Sequence, residues 1–216
     1  LMEVCQNEVE NEHCAPALVL SKEGTSCLAF WVRIICGYGL DKKFDPIFVM
    51  ENIIPRFDPS YNFVIVDKDC WPYEEFIPAF YSPMDNTIVI RSDTYDKALN
   101  GDLMEQINIA HEVSHCIQSI FLRFLHALKC VDFKTELCKI DSEQMTRHEE
   151  QTDALTSLLL SPNQVVAGKS EDEVFTEYIF NPVMTFCVGL IKRFGPKFLD
   201  KLKTLQLLED ANQNAS

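Results

Sequence analysis

The chain has 216 residues, 47% of them hydrophobic and 24% charged, a composition typical of a globular protein with one large or two small domains. Its formal net charge is −14, and no stretch forms a basic patch. Because such a surface repels phosphate backbones, the charge argues against direct binding to DNA or RNA. We interpret the acidity as a means of solubility, with docking on a basic partner as the alternative.

Three features of the sequence favour a cytoplasmic location. The nine cysteines are odd in number and form no Cys-x-x-Cys pair, which suits free thiols in a reducing compartment better than disulfides. The acidic segment at residues 1–12 lacks the apolar region of a signal peptide. The longest apolar stretch, residues 27–40, is interrupted by Arg33 and two glycines, so we expect no membrane-spanning segment.

The first half of the chain predicts two helices followed by short strands. A helix begins at Ser21, because apolar residues then recur at spacings of three and four, and Gly37 offers a stop. Asp45 and Pro46 match the N-cap and first position of a second helix, which should end before Pro55. Runs of β-branched and aromatic residues predict strands, the last two forming a hairpin through a turn at residues 85–86: residues 62–67, 77–80 and 87–91.

The second half of the chain predicts helices only. Asp102 is the expected N-cap of a helix that reaches about Leu128, either as one long helix or with a bend near Phe121. A helix over residues 143–160 ends before Pro162, and further helices begin at three positions: Ser170, Asn181 and Pro196. We expect a flexible arm at residues 1–20, one α+β domain over residues 21–210 and a disordered tail at residues 211–216.

A His-Glu-x-x-His motif lies inside the helical pattern of residues 107–117. Residues four apart share one face of a helix, so His111 and His115 can present two imidazoles to one Zn²⁺. Glu112 is then placed to take a proton from a metal-bound water. Cys116 points to a different face, and we interpret it as a buried small hydrophobic residue. The motif therefore predicts two metal ligands and a catalytic base.

A catalytic zinc site needs a third protein ligand, and the next predicted helix offers one. Glu149 lies 34 residues after His115, and Asp153 follows one helical turn later. Glu149 would bind the metal, while Asp153 would accept a hydrogen bond from the second ring nitrogen of a ligand histidine. Glu150 is the alternative ligand, and the acidic run around it is also compatible with a solvated helix face. We interpret His148 as a surface residue or a neighbour of the site.

The two helices together resemble the ImmA/IrrE-type metallopeptidases, in which the helix Glu-x-x-Ala-(Asn/Asp)-x-Phe-Ala-x-x-Leu-Leu-x-Pro follows His-Glu-x-x-His. The chain keeps that spacing with the following residues: Glu149, Thr152, Asp153, Leu155, Thr156, Leu159, Leu160 and Pro162. Thr152, Leu155 and Thr156 replace Ala, Phe and Ala, and Ser114 stands where the family usually has Gly. The resemblance is specific over residues 87–162, including the strand before the motif, and extends in outline over residues 20–190.

The resemblance implies a zincin-like fold of the gluzincin type, with a small, mostly antiparallel sheet packed on the active-site helix and additional C-terminal helices. It implies a Zn²⁺ cofactor held by His111, His115 and Glu149, with Glu112 as the catalytic base and Asp153 orienting a ligand histidine. The implied activity is hydrolysis of a protein or peptide substrate, possible examples being DNA-binding repressors encoded nearby on a phage or mobile element. The alternative is a non-proteolytic zinc-containing protein that binds and sequesters a regulator.

Two details of the expected reaction remain open in the sequence. Tyr95 and Tyr178 are candidates for stabilising the oxyanion, although each also fits as a packing aromatic residue. The strand at residues 87–91 precedes the site helix, so we expect it to pair with an extended substrate as an edge strand.

Overall fold

The computed structural model describes residues 20–40, 42–127 and 142–161, together with Glu173. The predicted N-terminal arm up to residue 19, the helices after Pro162 and the C-terminal tail lie outside the described residues. The helices are α1 (Lys22–Ile35), α2 (Pro46–Phe48), α3 (Ile54–Phe57), α4 (Ser92–Leu99), α5 (Leu103–Ala127) and α6 (Ser142–Leu160). The strands are β1 (Asn62–Val66), β2 (Ala79–Ser82) and β3 (Thr87–Arg91).

The described residues belong to two compact units. Of the described residues, the first contains Leu20 and Asp45–Thr156, and the second contains Ser21–Phe44 and the residues from Ser157 onward. The prediction of one domain over residues 21–210 stays a prediction. No helix in the described part of the chain is long and apolar enough to cross a membrane.

The first unit contains a three-stranded sheet in the order β1–β3–β2. β1 runs parallel to β3, with Asn62 opposite Thr87, and β2 runs antiparallel to β3, with Ala79 opposite Ile90. The predicted hairpin is confirmed, although its first strand begins at Ala79 rather than at residue 77. The α+β class is confirmed as well, with a sheet that is mixed because it has one parallel and one antiparallel pair.

β3 is the central strand, and this position corrects one prediction. Both of its edges are hydrogen-bonded, to β1 on one side and to β2 on the other. The expectation that residues 87–91 pair with an extended substrate as an edge strand is therefore wrong. Among the described strands, β1 and β2 form the two edges of the sheet.

Helix α5 packs against β2, β3 and α4, and it brings the His-Glu-x-x-His motif to the sheet. Its N-cap is Asp102, as predicted: the carboxylate accepts hydrogen bonds from the backbone N–H groups of Met104, at 2.9 Å, and Glu105, at 3.3 Å. The helix continues without interruption past Phe121 to Ala127, and whether it bends near Phe121 stays a prediction. One stripe of apolar side chains faces the core: Ile109, Ala110, Val113, Cys116 and Ile117.

Two helical details differ from the predictions. The helix capped by Asp45 does not end before Pro55, because a π-helical stretch, Val49–Ile53, leads directly into α3. Pro55 lies in the first turn of α3, where a missing N–H costs little, so the chain stays helical to Phe57. Helix α4 was not predicted, since its sequence is largely polar and follows β3 without a loop.

In the second unit, Ser21 caps α1 by accepting a hydrogen bond from the Gly24 N–H at 3.1 Å, which confirms the predicted start of this helix. Arg33 on this helix is fully buried. Its Nε donates to the Gly39 carbonyl at 2.7 Å, and its terminal nitrogens donate to the carbonyls of Lys42 and Leu159. The guanidinium thereby satisfies one carbonyl at the end of α6, that of Leu159, which the helix itself leaves without a partner.

Candidate metal centre

The structure brings His111 and His115 of α5 together with Glu149 of α6. The two Nε2 atoms lie 3.0 Å apart, and the Glu149 Oε2 lies 3.3 Å from that of His111 and 3.4 Å from that of His115. The ligand atoms of the three residues all lie within 4.8 Å of one another. A His–His–Glu group with this geometry can hold a metal ion.

A seam of buried polar side chains holds the two ligand-bearing helices together. The Thr156 hydroxyl donates to the Ser114 Oγ at 2.9 Å, and the Ser114 hydroxyl donates to the Ala110 carbonyl at 2.8 Å. One turn along α5, the Gln118 Nε2 donates to the Thr152 Oγ1 at 3.2 Å. Ser114 and Thr156, which stand where the ImmA/IrrE-type pattern has Gly and Ala, are therefore joined by a hydrogen bond between buried side chains.

Asp153 lies beside the first histidine of the motif, where the sequence predicts a carboxylate partner. Its Oδ1 is 3.0 Å from the His111 Nδ1. A hydrogen bond at Nδ1 leaves the Nε2 of the same ring free to face Glu149, so the contact fixes both the tautomer and the rotation of the ring.

Glu112 is half-buried on α5, beside the sheet. Its carboxylate accepts a hydrogen bond from the backbone N–H of Tyr81 in β2. Burial raises the pKa of Glu112 above its ordinary value, against the opposing influence of His115, His111 and the Tyr81 N–H. The group is thus held in one orientation and has an increased affinity for a proton.

The charged groups of the site shift one another's pKa values. Hydrogen bonds from His111 and His115 hold the pKa of Glu149 far below its usual range. Burial alone would lower the pKa of His111, but the hydrogen bond to Glu149 and the nearby charges of Glu112, Glu149 and Asp153 outweigh it and raise the pKa. Two imidazoles among three carboxylic groups form a cluster that attracts a divalent cation.

The remaining predicted site residues are placed differently. Glu150 is exposed and does not belong to the ligand group. The Tyr95 hydroxyl donates to the carboxylate of Glu51, while Tyr178 lies outside the described residues. His148 packs its ring 5.2 Å from that of His115, and burial, together with the charge of His115, lowers its pKa to about 4. His148 is thus a neighbour of the site that stays neutral near pH 7.

Sequence reasoning missed the residue beside the second ligand histidine. The Thr152 Oγ1 lies 3.4 Å from the His115 Nδ1, and the side chain of Thr152 is fully buried. The only indication in the sequence is that Thr152 falls three residues after Glu149, at a position where the family pattern has Ala. The backbone of Tyr81 was also missed, since a main-chain contact to Glu112 depends on the sheet order and leaves no trace in residue types.

No protein-family model, curated protein or solved structure matches this chain.

Proposed function

We propose that the chain is a zinc-dependent metallopeptidase, a hydrolase that cleaves peptide bonds in a protein substrate. The observation that carries the proposal is the contact of one carboxylate, Glu149, with the Nε2 atoms of both motif histidines, 3.3 and 3.4 Å away. The half-buried Glu112 directly follows the first ligand in the sequence. Three protein ligands of this kind plus an adjacent carboxyl group are the requirements of a hydrolytic zinc site. The resemblance to the ImmA/IrrE-type family supports the same assignment.

In this proposal Glu112 moves the protons of the reaction. It takes a proton from the attacking water and passes it to the leaving amine, which requires a pKa nearer to the working pH than that of an ordinary carboxyl. Burial shifts the pKa of Glu112 in that direction. The Tyr81 N–H and Asp153 keep Glu112 and His111 in place, and zinc, when bound, supplies a Lewis acid that polarises the scissile carbonyl.

The substrate of the proposed enzyme is an extended peptide segment. β2 is an edge strand, and its Tyr81 N–H contacts the proposed base, so a peptide that adds to the outer side of β2 would pass the site. In this proposal β2, instead of β3, is the strand that pairs with the substrate. A DNA-binding repressor in the cytoplasm is the proposed protein partner, and the net charge of −14 favours docking on its basic surface.

The decisive variant is Glu112→Gln, because it removes the base and leaves the ligand group unchanged. We expect bound zinc to stay at one equivalent, while cleavage of a denatured protein probe such as casein falls by about 10²- to 10⁴-fold. Zinc is measured by elemental analysis and cleavage by mass spectrometry of the products. Glu150→Gln is the matched control, since it makes the same change at an exposed neighbour of the site and should retain activity.

Two results would contradict the proposal: a zinc-loaded wild-type protein that cleaves no peptide bond, or a Glu112→Gln variant that is as active as wild type. A protein that only sequesters a regulator would keep its inhibitory effect in the Glu112→Gln variant, so this variant also separates the two candidate functions.

A further inference from the structure

The two ligand histidines have different partners at the ring nitrogen that faces away from Glu149. The His111 Nδ1 lies 3.0 Å from a carboxylate oxygen of Asp153. The His115 Nδ1 lies 3.4 Å from the hydroxyl oxygen of Thr152, the residue directly before Asp153 on α6. A neutral imidazole that binds a metal through Nε2 carries its hydrogen on Nδ1, and an acceptor for that hydrogen fixes the tautomer and the orientation of the ring.

The hydrogen bonds of Thr152 leave its oxygen available as an acceptor. A hydroxyl has one hydrogen and two lone pairs. The Thr152 hydrogen goes to the His148 carbonyl, 2.9 Å away and one turn earlier in α6. One lone pair accepts the Gln118 Nε2–H at 3.2 Å, and the other faces the His115 Nδ1. The His148 carbonyl is nearer to the Thr152 oxygen than the other possible acceptor, the Gln118 Oε1 at 3.4 Å. With its hydrogen on that carbonyl, Thr152 accepts from His115.

Burial protects the contact between Thr152 and His115 from water. Thr152 is fully buried and Gln118 is only 7% exposed, so competition from bulk water at the His115 Nδ1 is small. Gln118 holds the Thr152 side chain from α5, while the His148 carbonyl holds it from α6. The Thr152 oxygen therefore has a fixed position relative to the ring of His115.

We propose that Thr152, held by Gln118, is the positioning residue for His115: its hydroxyl accepts the Nδ1 hydrogen and so presents Nε2 to the metal. This inference rests on the proposed zinc site. It assigns a role to a residue that differs from the Ala of the family pattern, so the chain supports its second ligand with a hydroxyl and its first with a carboxylate. Thr152 touches neither metal nor substrate.

Thr152→Val tests the inference, since it keeps the shape of the side chain and removes the acceptor. Loss of a partner of this kind lowers metal affinity by about 10- to 100-fold, and we expect a loss in that range for zinc in competition with a chromophoric chelator. Thr152→Ser keeps the hydroxyl and should retain near wild-type affinity. In the zinc-loaded wild-type protein the Nδ1 proton of His115 should be protected from solvent exchange in NMR spectra, and Thr152→Val should abolish that protection.

Thr156→Val is the matched control on the same helix. Thr156 is also a buried threonine whose hydroxyl reaches the carbonyl four residues earlier, at 2.8 Å, and a side chain of α5. Its partner on α5 is Ser114 instead of a histidine. A purely structural effect of losing a buried hydroxyl should lower the melting temperatures of both variants, whereas only Thr152→Val should lower zinc affinity and change the His115 proton.

The possible outcomes separate this inference from the proposed function. Equal zinc affinities for wild type and Thr152→Val overturn the inference alone. A wild-type protein that binds zinc but cleaves nothing overturns the peptidase, while the affinities still decide the role of Thr152. A wild-type protein that binds no zinc overturns both. Should Thr152→Val fail to fold, Thr152→Ala compared with Thr152→Ser gives the same decision.

Discussion

At the scale of single residues, we expect the protonation of His111 to limit metal binding at the candidate site in acid. A metal and a proton compete for the same Nε2 atom, so a raised pKa extends the competition to higher pH. Burial lowers the pKa of His111, but the hydrogen bond to Glu149 and the charges of Glu112, Glu149 and Asp153 raise it above the ordinary value of 6.5. The same carboxylates that attract the cation also hold the competing proton.

This competition predicts the pH dependence of zinc binding. The apparent affinity should fall as the pH decreases through the raised pKa of His111, so the loss should begin above pH 6.5. Asp153→Asn removes one negative charge beside the Nδ1 of His111, so the loss should begin at lower pH even though the affinity at high pH is reduced. Chelator competition from about pH 5 to pH 8 measures both curves. Identical midpoints for wild type and Asp153→Asn would contradict the assigned pairing.

At the scale of elements, a polar network fixes the sheet to the far half of α5. Arg123 of this helix forms an ion pair with Asp58 at 2.6 Å, ahead of β1. The Asn86 Nδ2 donates to Asp58 and to Ser60, both at 2.9 Å, and its Oδ1 accepts from the Tyr81 hydroxyl at 2.9 Å. Asn86 has a φ of 51° and ends the turn between β2 and β3, a conformation that asparagine tolerates well. The network therefore positions β2, whose backbone contacts Glu112.

Asp58→Asn tests the contribution of this network to stability. Burial raises the pKa of Asp58, but hydrogen bonds from Ser60 and Asn86 and the charge of Arg123 outweigh it, so the net pKa lies below 3.8. A lowered pKa contributes stability above the unfolded-state value, and this contribution is lost as the pH falls through the folded-state value. Near pH 7 we expect the free energy of unfolding to drop by about 1 to 2 kcal/mol, a modest loss because Arg123 is 36% exposed.

Urea unfolding of wild type and Asp58→Asn at about pH 7 and pH 3 measures this contribution. The difference between the two proteins should narrow at the lower pH, where the wild-type carboxyl also becomes protonated. Asp69→Asn serves as the control, because it makes the same change at an exposed position. A difference that stays constant with pH would show that the charge of Asp58 does not contribute.

Much of the candidate site could be predicted from local sequence patterns, whereas the rest depends on tertiary contacts. The spacing of His111 and His115 follows from helix geometry, and Glu149 with Asp153 repeats that logic on a second helix. The contact of Thr152 with His115 depends on how α6 is rotated against α5, which no local pattern determines. The central position of β3 likewise depends on which strands pair, because residues 62–66 and 79–82 have equally short apolar patterns.

At the scale of the whole molecule, local and distant contacts differ in how far they can be predicted. The helix caps at Ser21, Asp45 and Asp102 were predictable because each side chain accepts a hydrogen bond from a backbone N–H only two or three residues later. The candidate ligands, in contrast, come from distant segments of the unit that contains Asp45–Thr156. Glu149 approaches His111 and His115 across the interface between α5 and α6. A metal at this position would add a further connection between the two helices, beside the hydrogen bonds of Thr156 with Ser114 and of Gln118 with Thr152.

Zinc should therefore raise the melting temperature of the protein. A ligand that binds only the folded state at 100 times its dissociation constant adds about 2.7 kcal/mol of stability. For a chain of this size that gain corresponds to an increase of about 5 to 10 °C. Thermal unfolding followed by circular dichroism, with zinc and after addition of a chelator, measures the shift.

Two variants test where the zinc binds. Glu149→Gln should lose the increase in melting temperature because it removes a ligand, whereas Glu112→Gln should keep it because the proposed base does not bind the metal. An increase that survives in Glu149→Gln would place the zinc elsewhere in the chain, since the stabilisation requires the carboxylate that links α6 to the two histidines of α5.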